Sequence, residues 1–256
     1  MALQSSGQIS LNDIHVEAGG TSGTEAQIND ADIRGLIGKS SGAQSLFSEF
    51  YGASAAITLK TYGKVIDTNG NNTSYSGSLS ASVAAGDVIV IAKVTGFGAY
   101  ARGSTTIQGI SSTVLSHNVA WYNPIYGHTT FEKVTATTSA SSISVSCSEG
   151  GSNRQGMYVF AWLIGGGATH DDTATSASTG TLTVDTGEDG AIVVGSAYTD
   201  DAYAMPNLNG TDFETTFNRD MHVWVGHLVQ SGTAATASMT VATSGTNNRI
   251  WSFIKA

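Results

Sequence analysis

The sequence predicts a mainly β protein: an antiparallel β-sandwich of the jelly-roll type with two pseudo-repeated halves, preceded by a small module of short helices. Three observations support this fold class. Glycine occurs 31 times, proline occurs 2 times and charged residues make up 12% of the chain, which suits many short strands joined by glycine turns. Stretches with strand periodicity fill the chain after residue 55. Their pattern in the first half returns in the second half.

The strand predictions rest on two kinds of pattern. Gly86 to Ala92 is a turn followed by a continuous apolar run, and Met157 to Ile164 is a second such run. Both are typical of buried strands. Ser142 to Cys147 and Thr181 to Val184 alternate polar and apolar residues, as a half-buried strand does. Cys147 is the single cysteine, so there is no internal disulfide, and its place in the alternation predicts a small buried hydrophobic residue.

Two related halves are predicted over about residues 57–165 and 176–256. Each half contains, in order, a turn, an apolar strand, a loop, an alternating strand, an Asn-Arg pair and an aromatic strand. In this comparison the apolar strand that starts at Val88 corresponds to the one that starts at Ala191. The expected arrangement is two similar sets of antiparallel strands that face each other in one sandwich, because neither set alone could cover its apolar face.

Two features of these halves leave alternatives open. The segment from Gly165 to Gly180 is the one linker-like stretch, so two separate small domains are the alternative to a single sandwich. The Asn-Arg pairs begin at Asn153 and Asn248. We expect them to satisfy turn backbone and to cover apolar surface. Ligand binding at two equivalent places is the alternative for these pairs.

The first 54 residues have a different pattern, which predicts a helical docking module. Three short stretches in this segment share one plan, and each is soon followed by glycine, the preferred residue after a helix end. Ser10 and Asn29 each stand three residues before an acid, Asp13 and Asp32, in the arrangement of a capping box. The third stretch, Leu46 to Phe50, has leucine at the cap position, which weakens the prediction of a regular third helix.

Helices of one to two turns are not stable alone in water. They must pack on each other, on the following domain or on a partner, and we favour a partner. The candidate docking residues are the caps and the apolar edges of these helices: Ser10, Asp13, Ile14, Val16, Asn29, Asp32, Ile33, Leu36, Phe50 and Tyr51.

Three runs of this segment carry a resemblance to a known family. They are Gln8 to Ile14, Asn29 to Leu36 and Ser48 to Ser54. In order and spacing they resemble an N-terminal module of tailed-bacteriophage virion proteins, which reads roughly IS-x-x-DI, then SLND-x-x-(I/V)R-x-L, then (S/D)-(D/E)-FYG. The resemblance implies a non-enzymatic structural part of the virion, such as a tail-fibre, tail-tip or collar protein. It also implies assembly in the host cytoplasm, a homo-oligomer, and contacts with other virion proteins and sister subunits for assembly or host attachment.

Aromatic residues in predicted loops provide a second candidate contact surface. Aromatic side chains are enriched at subunit contacts, and they can stack on sugars. They keep two alternative functions open, a carbohydrate-binding adhesin that engages a host surface glycan and a capsid decoration protein. The candidate residues are Trp121, Tyr122, Tyr126, Tyr198 and Tyr203.

We expect no catalytic residue, no cofactor and no metal site. Gly38 to Ser40 resembles the end of a phosphate-binding loop, but Ile33 stands where that motif needs glycine. His170 to Asp172 is the most ligand-like cluster, with Glu188-Asp189 and Asp200-Asp201 as companions. These residues do not make a complete calcium loop, and neighbouring acids in turns are usually solvated.

Charge and hydropathy exclude other partners. The net charge is −9, and the 11 Lys and Arg residues are scattered, which argues against nucleic acid. No apolar run approaches the roughly 20 residues of a membrane-spanning helix. The start of the chain lacks the basic and apolar regions of a secretory signal, so we expect synthesis in the cytoplasm without secretion.

Overall fold

The computed structural model of the chain shows a mainly β protein with several antiparallel sheets and two short helices near the N-terminus, which confirms the predicted class. The structure describes the following residues: 3–51, 53, 57–68, 72–96, 103–122, 125–148, 157–165, 167–176, 180–186, 191–199, 213–218, 221–230, 236–241 and 247–255. Side chains are described for most of these residues.

The helical elements come first in the chain. Helix α1 is Leu11–Glu17, helix α2 is Ala31–Gly35, and a single 3₁₀ turn covers Phe47–Phe50. Helix α1 begins at the predicted cap. The Ser10 hydroxyl accepts the N–H of Asp13 at 3.1 Å, and the Asp13 carboxylate accepts the N–H of Ser10 at 2.8 Å. This reciprocal pair is the predicted capping box, which is confirmed.

The predicted cap of α2 is wrong by one residue. Asp30, with extended backbone, holds the cap position, and its side chain makes no cap hydrogen bond. Asn29 instead accepts hydrogen bonds from the Arg34 guanidinium through its backbone and side-chain oxygens, each at 2.8 Å. The Asp30 carboxylate accepts the N–H of Gln27 at 2.8 Å. Both side chains have local partners outside the first turn, and these partners compete with the helix N–H groups.

Nine strands are described between residues 57 and 165, which we call the first half. They are β1 Thr58–Thr68, β2 Ser74–Val83, β3 Val88–Gly96, β4 Thr105–Ile107, β5 Ile110–Ser111, β6 Thr113–Tyr122, β7 Ile125–Thr135, β8 Ala140–Ser148 and β9 Met157–Gly165. Sheet A has the order β1-β9-β3-β7-β6, and sheet B has the order β2-β8-β4-β5.

Seven strands are described between residues 168 and 255, which we call the second half. They are β10 Ala168–Ser176, β11 Gly180–Asp185, β12 Ile192–Thr199, β13 Phe213–Asn218, β14 Met221–Val229, β15 Thr236–Val241 and β16 Asn247–Lys255. Sheet C has the order β10-β16-β12-β14-β13, and sheet D pairs β11 with β15.

The four sheets are layered in the order B, A, C, D. The core between B and A contains Ile89 of β3 and Ile143 of β8. Sheets A and C face each other across a core that contains Trp162 of β9 and Trp251 of β16. Leu182 of β11 lies in the core between C and D. The larger sheets are therefore covered on both faces, which goes beyond the single two-layer sandwich expected from the sequence.

Strand β9 illustrates the consequence of this layering. Every residue of β9 is buried. Met157 and Val159 belong to the core shared with sheet B, whereas Tyr158 and Phe160 belong to the core shared with sheet C. Because successive side chains of a strand point to opposite faces, a strand in a middle layer is apolar at every position. The continuous run that predicted a buried strand here is explained by two cores.

The linker-like stretch between the halves holds strand β10. This strand pairs along its length with β16, from Ala168 opposite Lys255 to Ser176 opposite Asn248. Strand β10 therefore occupies part of the stretch from Gly165 to Gly180 that the sequence pattern reads as linker-like. The stretch is rich in threonine, a β-branched residue that suits a strand. Gly167, with φ +68, lies between β9 and β10.

Candidate docking surface on the N-terminal module

The N-terminal module folds around a core of its own. Its fully buried members are Ile14, Ile33 and Phe50, one each from α1, α2 and the 3₁₀ turn. Leu3 also packs in this core, and its N–H donates to the carbonyl of Ala53 at 2.9 Å. This hydrogen bond joins the start of the module to its end, so the short helices pack on each other.

The predicted docking residues divide between this core and the surface. The three fully buried residues are not available to a partner, and Leu36 packs partly buried against them. Val16 and Tyr51 are exposed, and the Tyr51 hydroxyl donates to the carbonyl of Gly7. The polar candidates are exposed too. Docking through Val16 and Tyr51 stays a prediction, whereas the buried residues stabilise the module that presents them.

Exposed apolar side chains are concentrated in the module. Six large apolar side chains are exposed among the described residues, and four of these belong to the module. We call these four the exposed apolar set: Val16 at 44%, Leu46 at 58%, Phe47 at 44% and Tyr51 at 37% exposure. Single exposed apolar residues are ordinary, but several within one small module indicate an interaction surface.

The 3₁₀ turn that carries Leu46 and Phe47 is held by an ion pair. The Lys39 ammonium donates to both carboxylate oxygens of Glu49, at 2.5 and 2.6 Å, and to the carbonyl of Gln44 at 2.6 Å. The Glu49 carboxylate also accepts the N–H of Leu46 at 2.7 Å. The Lys39 ammonium first, and the Leu46 N–H second, hold the pKa of Glu49 below its usual range. Leucine has no side-chain acceptor, so only this half of a capping box forms.

A groove of about 500 Å³ lies along the same module, between the N-terminal segment and α1. Ile9 and Val16 give it apolar walls, and Gln8 and Asn12 add amide groups. Val16 therefore belongs both to the exposed apolar set and to the groove. Apolar walls with a few polar groups are typical of recognition sites.

Four of the five predicted surface aromatics lie on strands, so the assignment of these four to loops is wrong. Trp121 and Tyr122 end β6, and Tyr126 in β7 pairs with Trp121 across a hairpin. Tyr198 lies near the end of β12. The side chains of these four fall outside the described part, and Tyr203 lies outside the described residues. Aromatic residues favour strands over loops, which accounts for the difference.

The His170 cluster lies on β10 and is built into the sheet. The Asp172 carboxylate accepts the N–H of Thr173 at 2.7 Å and that of Asp185 at 3.0 Å. The His170 ring lies 5.8 Å from the ring of Phe253. Within the described part of the chain, no three potential metal ligands come together. The suggested acidic companions at 188–189 and 200–201 lie outside the described residues.

Sequence patterns did not indicate a buried ion pair between sheets A and B. Lys93 of β3 and Glu132 of β7 are 2% and 0% exposed, and Nζ lies 3.4 Å from Oε1. The Thr105 hydroxyl accepts from the ammonium at 3.0 Å and donates to Oε1 at 3.1 Å. The Ser112 hydroxyl donates to the other carboxylate oxygen, Oε2. The available signal was a lysine inside the apolar run of β3, because buried lysine is rare unless it is paired.

Comparisons with family models, with curated proteins and with solved structures find no match to this chain. The resemblance of the N-terminal segment to phage virion proteins therefore stays a prediction. No helix in the described ranges has the length and apolar character needed to cross a membrane.

Proposed function

We propose that this chain is a non-enzymatic structural component of a tailed-phage particle, a tail-fibre, tail-tip or collar protein that docks through residues 1–54. The observation that carries the proposal is the exposed apolar set on the module. A module with its own core presents these side chains in a fixed arrangement, so less conformational entropy is lost when a partner covers them. The core formed by Ile14, Ile33 and Phe50 explains how so short a segment holds its surface in place.

The outer face of sheet B supports contacts with sister subunits. Serines stand directly opposite one another on β2 and β8, in the pairs Ser76–Ser146, Ser78–Ser144 and Ser80–Ser142. This row carries no charge at these positions. Charged groups would have to lose their hydration in a subunit contact, and they are depleted from the centres of such contacts. A flat hydroxyl surface of this kind suits packing against another copy.

We also propose that the halves are two copies of one jelly-roll-type unit. The main pairs of the first half are nested, β1 with β9, β2 with β8 and β3 with β7. The second half has β10 with β16, β11 with β15 and β12 with β14. Nested pairs of this kind arise when one long antiparallel hairpin is rolled into two sheets, which is the jelly-roll path.

The strand registers support a particular correspondence between these copies. Val88 pairs with Ile164, and Val90 with Trp162. In the second half, Ile192 pairs with Phe253, and Val194 with Trp251. Val88 then corresponds to Ile192, one residue beyond the Ala191 that the sequence comparison selected. A shift of one residue exchanges the two faces of a strand. The choice between Ala191 and Ile192 therefore decides which faces of β3 and β12 correspond.

The docking proposal is tested with two variants of the full chain, Val16→Asp and Phe47→Asp. Particles of the phage that encodes the chain are purified from cells that express tagged versions, and the chain that sediments with them is measured. We expect each variant to reduce incorporation by about tenfold or more, since burying a charge in an apolar contact is unfavourable by well over 1.4 kcal/mol.

Val229→Asp is the matched control, because Val229 is 45% exposed but lies outside the module. It should incorporate like the native chain, and circular dichroism should show that all three variants fold. The proposal is overturned if the native chain does not sediment with particles. Incorporation of the module variants at the level of the Val229→Asp chain would equally overturn it.

A further inference from the structure

The buried pair Lys93–Glu132 lies outside the module and has a chemistry that docking does not use. We propose that these two side chains condense into an intramolecular amide bond that joins β3 to β7. The bond would be a self-formed cross-link inside the core between sheets A and B. It does not depend on the docking role of the N-terminal module.

The reaction is a condensation and needs no second reactant. The Lys93 ammonium passes one proton to the Glu132 carboxylate, which leaves a neutral amine and a neutral carboxylic acid. The Nζ lone pair attacks Cδ of Glu132, and a C–N bond forms. The C–O bond then breaks, and the hydroxyl leaves as water with a second proton from Nζ. The products are one secondary amide and one water, and no atom is oxidised or reduced.

The surrounding hydroxyls are arranged for these proton movements. The Thr105 hydroxyl accepts from Lys93 Nζ and donates to Glu132 Oε1, so it connects donor and acceptor as a relay. The Ser112 hydroxyl donates to Oε2, the oxygen that would carry negative charge in the tetrahedral intermediate. A donor already aimed at that oxygen stabilises the developing charge without reorganisation.

Burial supplies the driving force. Two full charges in an apolar core carry a large desolvation penalty, which their mutual attraction offsets only in part. Proton transfer within the pair removes both charges, and condensation makes that removal permanent. Two groups held together in this way react as if at concentrations of about 10⁵ M or more. The apolar neighbours in this core, including Ile91 and Val134, keep solvent away from the product.

Two other ion pairs of the chain provide internal comparisons. Lys60 Nζ lies 2.8 Å from Asp87 Oδ1, and Lys39 Nζ lies 2.5 Å from Glu49 Oε1. Both are shorter than the Lys93 pair, yet the lysine side chains are 34% and 25% exposed. Water stabilises the charged forms there, so neither pair should condense. Burial with a hydroxyl relay, rather than short distance, distinguishes the reactive pair.

The test is the mass of the intact native chain after it has folded, been purified and been denatured. We expect a mass lower than the sequence mass by one water. Peptide mapping should show no tryptic cleavage after Lys93 and a branched peptide that joins Lys93 to Glu132. A full sequence mass with both side chains free overturns the proposal, and so does a water loss that maps to Lys60 and Asp87.

Three variants test the roles of the groups. The double variant Lys93→Met/Glu132→Leu leaves no buried charge unpaired and should show its full sequence mass. In chains recovered unfolded and unlinked from inclusion bodies and then refolded, Ser112→Ala should slow formation of the linked species about 100-fold, as removal of an oxyanion donor does. Thr105→Val should slow it as well. Linkage at the native rate in both hydroxyl variants would contradict the assigned relay and oxyanion roles.

Discussion

The main strand pairs are nested in both halves of the sheet region, but the two halves differ in the side chains buried between their sheets. The described part of sheet B covers sheet A with four strands, and the buried ion pair lies beneath it. The described part of sheet D covers sheet C with two strands. In the proposed correspondence, Lys93 matches Ala197 and Glu132 matches Gly226, since Ile91 pairs with Glu132 and Gly195 with Gly226. At the two positions that would match the ion pair, the second half has alanine and glycine.

The contact between the halves is made by aromatic residues from both. Phe131 of the first half lies 3.7 Å from Trp251 of the second half and 6.0 Å from Trp162 of its own half, ring centre to ring centre. At the edge of this core, the exposed ring of Tyr62 lies 4.2 Å from the ring of His227. Aromatic pairs at such distances add to the burial of apolar area. The halves should therefore unfold together.

Trp251→Ala should lower the free energy of unfolding more than any other variant proposed here. It is the strongest test of whether the two halves unfold as one unit. Removing a buried tryptophan lowers the free energy of unfolding by about 3–5 kcal/mol, and here it opens a core that both halves share. Urea unfolding followed by circular dichroism should show one transition, shifted as a whole. Leu182→Ala, confined to the core between sheets C and D, is the control. Two separated transitions, with only one of them shifted, would show that the halves are energetically independent.

A smaller effect is expected at the hairpin β4–β5, which helps to cover the ion pair in the first half. Gln108 and Gly109 form its turn with φ +55 and +73. The Gln108 amide donates to the Ser142 carbonyl at 2.7 Å and accepts from the Ser144 hydroxyl at 2.9 Å. These bonds hold a non-glycine residue in the left-handed region, which is unfavourable by about 1–2 kcal/mol.

Gln108→Ala loses these side-chain bonds and keeps the unfavourable φ, so we expect the free energy of unfolding to fall by about 1–2 kcal/mol. Gln108→Gly loses the same bonds, but glycine adopts a positive φ without strain. Its free energy of unfolding should therefore be about 1 kcal/mol higher than that of the alanine variant. Urea unfolding of the two variants side by side measures this difference. A glycine variant less stable than the alanine variant would contradict the role assigned to the turn.

The smallest expected effect is a dependence of stability on pH that His170 of the second half causes. Burial first, and the positive charge of Lys133 second, lower the pKa of His170 from its usual 6.5. The folded chain thus binds this proton less readily than the unfolded chain does. The resulting stability is present above pH 6.5 and is lost as pH falls through the His170 pKa. In the first half, Leu59 stands opposite Ile164 as His170 stands opposite Phe253.

The melting temperature should therefore fall between about pH 7.5 and about pH 5.5, and His170→Gln should reduce that fall. The Asp13 carboxylate, whose pKa its hydrogen bonds to Ser10 lower, titrates below this window and does not interfere. If the melting temperatures of the native chain and the His170→Gln chain depend on pH to the same extent, His170 does not cause the fall.

Local patterns predicted those elements whose causes are local. The Ser10 capping box and the run that became β9 depend on neighbouring residues and on period, so they could be read directly. Strand β10 could not, because its polar residues resemble a loop and only the pairing with β16 makes it a strand. The ion pair could not be predicted either, since the pairing of β3 with β7 brings Lys93 and Glu132 together. The division of the docking residues between core and surface likewise depends on the packing of the two helices and the 3₁₀ turn on each other.

The nesting of the strand pairs also has a consequence for the order of events during synthesis. The first strand of sheet A, β1, pairs with its last strand, β9, so this sheet cannot close until Gly165 has left the ribosome. Until β10 to β16 follow, the face of β9 that bears Tyr158, Phe160 and Trp162 has no covering layer. The nascent chain therefore passes through a period with a large apolar face open to water, when binding to a chaperone or to a second nascent chain competes with completion of the fold.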